Sequence, residues 1–142
     1  MKIKIVSIGK VKEKLYRKRI EEYIKWISKY SKIDIIELKD SNSERLDKNL
    51  YKYLESDYYT ICVSEKGEQK TSEQFSKFLY KQNNRLIFFI GGPNGHPEFV
   101  QNLSNKVLSF SKMTLIHEMS LLILCEQIFR GITIKEGRKY HK

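Results

Sequence analysis

Along the 142 residues, short apolar runs alternate with longer stretches whose apolar residues recur every three or four positions. Residues 2–8, KIKIVSI, alternate and then turn apolar, which predicts a strand closed by Gly9. From Val11 the period changes. Tyr16, Ile20, Tyr23, Ile24, Ile27 and Tyr30 fall at helical spacing, with Lys and Arg on the outer face. IDIIEL, 33–38, predicts a second strand. SNSE at 41–44 has the serine–x–x–glutamate form of a capping box, and Leu46, Leu50, Tyr53 and Leu54 form one stripe after it. YYTICVS, 58–64, predicts a third strand, and EKGEQKTS a polar loop around Gly67. Thr71 or Ser72 caps a helix carrying Phe75, Phe78 and Leu79. LIFFI, 86–90, is unbroken in its apolarity and predicts a strand buried on both faces. Pro97 suits the first turn of the next helix, and Glu98 its positive end. VLSFS, 107–111, predicts a short fifth strand, and His117 to Ile134 a long helix apolar on most of its circumference.

Strands and helices thus alternate throughout, with no linker or repeat between them. The pattern predicts one α/β domain over residues 1–142 with a mostly parallel sheet.

Charge adds a candidate partner. The net +10, from 27 Lys+Arg against 17 Asp+Glu, fits a polyanion, most often nucleic acid. A chain rich in Lys, Ile, Asn and Tyr together reaches such a surplus partly through composition alone. The clustering of Lys10, Lys12, Lys14, Arg17, Lys18 and Arg19, and of Arg138, Lys139 and Lys142, adds weight. No apolar run approaches the roughly 18 residues of a membrane span, and the alternating N-terminus is unlike a signal peptide. A cytoplasmic location without membrane attachment is expected. Cys62 and Cys125 sit in apolar runs and read as reduced, buried thiols. With no CxxC, and with His96, His117 and His141 at no ligand spacing, no metal site is expected.

The stretch LIFFIGGPNG, 86–95, runs a buried strand into a glycine turn. Backbone N–H groups at such a turn hold an anion or a polar ligand edge, or the turn simply reverses the chain. Neither the Walker ending nor the GxGxxG fingerprint is present. FSKMT, 110–114, leaves backbone groups free to read a flat ring by its edge. Glu126 and Arg130, four apart in the last helix, can pair as a structural ion pair or serve a site. The tail places Tyr140 and His141 beside Arg138 and Lys139, either to stack on a base and bind phosphate or as a frayed basic end.

Five pieces in this order resemble the RlmH family of SPOUT-class methyltransferases acting on large-subunit ribosomal RNA. They are the start MKIKIVSIGKVKEKLYRKRIEEYIKW, the IGGPNG turn, LSFSKMT, HEMSLLILCEQIFRG and the terminal YHK. The similarity runs from Met1 to Lys142, with a middle, about residues 40–57, that looks shortened. The resemblance implies an α/β fold with a deep C-terminal trefoil knot and a homodimer packed through the knot region. It implies S-adenosylmethionine as cofactor and methyl transfer to N3 of a pseudouridine in 23S rRNA on the assembled ribosome. By position it implies cofactor contacts at Val63, Gly91, Gly92, Phe110, Ser111, Lys112, Met113, Thr114 and Leu115. It implies that Glu126, Arg130, Tyr140 and His141 face the RNA or the methyl-transfer centre, the tail acting across the dimer on the partner's cofactor. The chain departs from the family pattern at Ile116, where many members have proline, and at Leu121, where many have arginine. Phe129 stands for a usual tyrosine and Gly131 for a usual alanine. The competing class is a non-catalytic basic RNA- or ribosome-binding α/β protein, which would not bind S-adenosylmethionine.

Overall fold

In the computed structural model, which describes residues 1–41 and 44–142, ten elements alternate. They are β1 (Lys2–Ile8), α1 (Lys14–Ile27), β2 (Lys32–Leu38), α2 (Glu44–Leu54), β3 (Tyr59–Gln69), α3 (Ser72–Lys81), β4 (Arg85–Ile90), α4 (Glu98–Leu103), β5 (Lys106–Ser109) and α5 (His117–Lys135). Every strand is followed by a helix, the connection that parallel pairing requires. The sheet is ordered β2-β1-β4-β3-β5 and all its pairings are parallel.

Strand periodicity divides the core between the two faces. Ile3, Ile5, Ile61, Leu86, Phe88 and Ile90 pack with α1, α3 and α5. Val6, Ile8, Cys62, Ile87 and Phe89 pack with Leu46 and Leu50 of α2 and Val100 of α4. β4 is central and feeds both cores, which explains its unbroken apolar sequence. α5 buries one face, where Leu121, Leu124, Cys125, Ile128 and Ile132 pack against the sheet and its neighbouring helices, while Leu122, Ile123 and Phe129 stay half-exposed and Met119 exposed.

Some boundaries differ from the sequence reading. β3 does not stop at Ser64. It pairs with Leu108 through Val63, bulges over 64–67, and rejoins β5 through Glu68 and Gln69. The predicted polar loop is therefore largely strand and bulge. Gly67 permits this, because a Cβ there would lie 2.6 Å from the carbonyl of Val107. β5 ends at Ser109, so Phe110 and Ser111 belong to the following loop. Pro97 is the N-cap of α4, one position before the first turn. Thr71 caps α3 through a complete capping box with Gln74. The capping box predicted over 41–44 lies partly outside the described residues.

After β5 the chain turns back. Residues 110–116 cross the carboxyl ends of β3 and β4 and reach the end of β1. There Glu118 Oε1 accepts from the Lys12 amide at 2.5 Å, and His117 Nε2 stands 3.4 Å from the Lys10 carbonyl. α5 then descends between α1 and α3.

Candidate active site

The back-crossing loop roofs a cavity of about 460 Å³. Its walls are the end of β3 with its bulge (Val63–Glu65), the turn after β4 (Ile90–His96), and the loop from Phe110 to His117. The cavity lies beyond the carboxyl ends of parallel strands, where open α/β sheets hold ligands. Its volume falls in the range of small-molecule sites, roughly 300–1,000 Å³.

The glycine turn is shaped by packing as well as by access. A Cβ on Gly92 would stand 2.8 Å from the Ile8 carbonyl oxygen, and one on Gly91 3.1 Å from His96 Cδ2. The Gly95 amide donates to the Gly92 carbonyl at 2.9 Å, with Gly95 in the left-handed region at φ +77. The turn delivers His96 to β3, where Nε2 lies 2.7 Å from the Val63 carbonyl. A carbonyl only accepts, so Nε2 carries the proton. Burial, the largest influence, pushes the His96 pKa down and keeps the ring neutral. Nδ1 is then a bare acceptor. It is buried without a partner, the one such side-chain atom among the described residues.

The cavity's charge is unlike that of the chain. No Lys or Arg lines it, and Glu65 is its one carboxylate. Such walls do not suit a phosphate. They suit a neutral or cationic ligand bearing hydrogen-bond donors, and S-adenosylmethionine fits that description. The free acceptor on His96 and the close-packed glycine backbone fit it as well.

A second cluster lies where the tail docks on α5 and α1. Arg130 holds Glu126 through Nε at 2.7 Å and Nη2 at 2.6 Å. Its Nη1 donates to His141 Nδ1 at 3.1 Å, so Nε2–H of His141 donates to Glu73 Oε1 at 2.6 Å. The Tyr140 hydroxyl is 3.4 Å from Glu126 and 3.2 Å from the Tyr23 hydroxyl, and its ring packs edge-on against Phe129. Burial, then the bond to Tyr23 and the charge of Glu126, push the Tyr140 pKa up. Glu126 raises that of Arg130. Glu73 is held low by its own backbone N–H and then by His141. The basic end is therefore docked rather than frayed.

A family model described as a predicted SPOUT methyltransferase matches residues 1–141. The chain belongs to the SPOUT methyltransferase family. Ribosomal RNA large subunit methyltransferase H of Bacillus cytotoxicus (strain DSM 22905 / CIP 110041 / 391-98 / NVH 391-98) is 38% identical over 160 aligned positions, covering all of both chains. The proteins of the same name from Bacillus thuringiensis (strain Al Hakam) and Bacillus cereus (strain B4264) are 36% identical over 159, again covering all of both.

Of the nine positions to which resemblance assigned the SPOUT cofactor, eight meet in the one cavity: Val63, Gly91, Gly92, Phe110, Ser111, Met113, Thr114 and Leu115. Lys112 is exposed and forms no part of its wall. Glu126, Arg130, Tyr140 and His141 are joined to one another, yet none of them lines the cavity. Within one chain the assigned site is thus two separate groups. Sequence reading did not assign Ser64, Glu65, His96, His117 or Ser120 to the wall. Their one signal was placement, at the end of an apolar strand, after a glycine turn, or at a helix start.

At three of the four positions where the resemblance implies a departure, the structure shows what the residue does; nothing in it explains Phe129. Ile116 has φ −63, a value proline also adopts. Leu121 is buried and borders a cavity with Arg17 and Glu37, which pair at 3.0 Å. Gly131 brings α5 close to α3, where Ser76 Oγ donates to its carbonyl at 2.6 Å.

Proposed function

We propose that this SPOUT-family protein transfers a methyl group from S-adenosylmethionine to N3 of a pseudouridine in 23S rRNA, on the assembled ribosome in the cytoplasm. In this reading residues 1–142 form a single domain, knotted at its C-terminal end, that works as a homodimer. The observation that carries the reading is the cavity, where eight positions matched to the family's cofactor loops surround one volume free of Lys and Arg. Full-length similarity to large-subunit rRNA methyltransferases supports the substrate. The positive net charge is consistent with it.

When bound, the cofactor supplies an electrophilic methyl group on a sulfonium. The protein's part is alignment and proton management. Backbone groups of 91–95 and 110–115 read the adenosyl edge, and a cation-free wall avoids repelling the positive sulfur. Holding methyl and nitrogen in line contributes up to ~7–11 kcal/mol. The imide N3 must lose its proton. Glu126 is bound by Arg130 and Gln127 and approached by Tyr140, so both its carboxylate oxygens are already engaged. His141 is better placed: Glu73 accepts its Nε2–H, which leaves Nδ1 as the ring's acceptor. Nδ1 becomes available when RNA draws Arg130 away, and Arg130 then favours the anionic ring.

The dimer joins the two groups, with one chain's tail serving the partner's cavity. Met113, Ile116 and Met119, exposed on the cavity loop and the start of α5, give that assembly an apolar surface to cover.

The test is transfer of labelled methyl from S-adenosylmethionine to ribosomes from a strain lacking its own enzyme, with mapping of the labelled nucleotide. Label on a single large-subunit pseudouridine is expected. Absence of both label and calorimetric cofactor binding would leave the non-catalytic RNA-binding reading. His141→Ala should lose turnover by ~10²-fold or more while keeping cofactor affinity; unchanged turnover would exclude it as base.

A further inference from the structure

We infer that His96 is a cofactor-positioning residue whose Nδ1 accepts a hydrogen bond from the adenosyl half of the bound cofactor. This rests on the methyltransferase reading and adds to it a side-chain contact in a site otherwise read by backbone.

Geometry fixes the ring on one side. Nε2 is held by the Val63 carbonyl, and Cδ2 lies against Gly91. In an imidazole, Nδ1 is the atom opposite the Nε2–Cδ2 bond, so it faces away from both contacts. Because Nε2 must carry the proton, neutral His96 offers a lone pair at Nδ1 and nothing else. A buried acceptor left empty is costly, and native structures nearly always fill it. The filling group must be a donor. His96 is itself a wall residue of the cavity, and nothing in that wall supplies one to it.

The adenosyl half is the part implied for this wall. His96 directly follows the turn read as holding the adenosyl edge, and its other nitrogen is tied to Val63, a further position matched to cofactor contact. Adenine and ribose both carry N–H or O–H donors. The carrier of the ring is a turn closed by a single backbone bond between Gly92 and Gly95, and a Cβ on Gly95 would meet no atom within 4 Å. Nδ1 is closed to solvent in this structure, so the contact requires the turn from Gly92 to Gly95 to move when the ligand binds. His96 therefore ties two cofactor loops together with one nitrogen and reads the ligand with the other.

Two measurements separate this from a purely structural clasp. The first is the ¹⁵N resonance of His96 in the full-length wild type, titrated with S-adenosylmethionine and then with 5′-methylthioadenosine, which lacks the amino-acid half. The bare Nδ1 signal should move upfield with both ligands, as it does when an imidazole nitrogen accepts a hydrogen bond. The second is calorimetric affinity of His96→Gln, whose amide N–H can still reach the Val63 carbonyl. Affinity should fall about 5- to 10-fold for both ligands, the range of one hydrogen bond. His96→Leu, which loses both contacts, should fall further. An unmoved Nδ1 resonance in a wild type that binds normally would overturn the inference alone, and would indicate a resident water. A penalty confined to the full cofactor would overturn the assignment to the adenosyl half. No binding by the wild type would overturn the methyltransferase reading together with it.

Discussion

His96 also ties stability to pH. An unfolded histidine takes its proton near pH ~6.5. In the fold, burial pushes that value down and outweighs the Val63 carbonyl and the Glu65 charge, which push it up. Between the two values the unfolded chain binds more protons. The contribution is thus complete above pH ~6.5 and is lost as pH falls through the window toward the folded value. His96→Gln should therefore lose less melting temperature between pH 8 and pH 5 than the wild type. Equal losses would mean that His96 is not buried neutral. The two cysteines behave more simply. Burial pushes both thiols up to about 12, so neither is a thiolate at neutral pH. Alkylation of Cys62 and Cys125 should proceed at the rate of unfolding, and rapid labelling of native protein would contradict their burial.

Among the elements, β3 and α5 show what one glycine decides. At Gly67 a Cβ would press on the backbone of Val107 and Leu108, at 2.6 and 2.7 Å, and backbone yields only if β3 parts from β5. Gly67→Ala should cost ~1–3 kcal/mol. It should also weaken cofactor binding, because the bulge it distorts carries Ser64 and Glu65 and because β5 leads directly into Phe110. At Gly131 the nearest atom is Leu79 Cδ1, 2.9 Å away at the end of a side chain that can turn. Replacing a helical glycine by alanine gains up to ~1 kcal/mol. Gly131→Ala should therefore stay within ~1 kcal/mol of the wild type, as thermal or denaturant unfolding would show. These elements also mark where the sequence was readable. β4 announced itself because both its faces are buried. The far half of β3 did not: of residues 65–69 only Glu68 and Gln69 pair, with β5, and the segment lies largely exposed, so EKGEQ has no apolar alternation to display. Gly67 was the available sign, and it reads equally well as a loop glycine. The cavity wall from β4 to Leu115 was legible through motif resemblance. His96 and Glu65 were not, because a single polar residue beside a turn has no period.

For the whole molecule, the separation of cavity and tail makes a quantitative claim. Suppose one chain's Glu126–Arg130–Tyr140–His141 group serves its partner's cavity. Then a variant with a filled cavity and a variant with a disabled tail damage different halves of each composite site. Leu115→Trp blocks the cavity, to be verified by loss of calorimetric binding, and His141→Ala disables the tail. Each homodimer is inactive. After equal mixing and reassociation, half the dimers are mixed. In each of these, one site combines both defects, while the other combines the intact cavity with the intact tail. Activity should therefore return to about one quarter of wild type, as the two-fold symmetry of an isologous dimer requires. If cavity and tail of the same chain worked together instead, neither half of a mixed dimer would be whole, and mixing would restore nothing. Such a dimer would bring two basic surfaces to the ribosome. Each Lys or Arg that neutralises a phosphate releases counterions, so ribosome affinity should fall steeply between 50 and 200 mM salt, by roughly 10³-fold for about six contacts. Cofactor affinity, set in a cavity without Lys or Arg and with one carboxylate, should change little over the same range. Parallel calorimetry and ribosome sedimentation across that range would separate the two. A cofactor affinity that fell as steeply as ribosome binding would mean that Lys or Arg side chains reach the bound cofactor, against the cation-free wall.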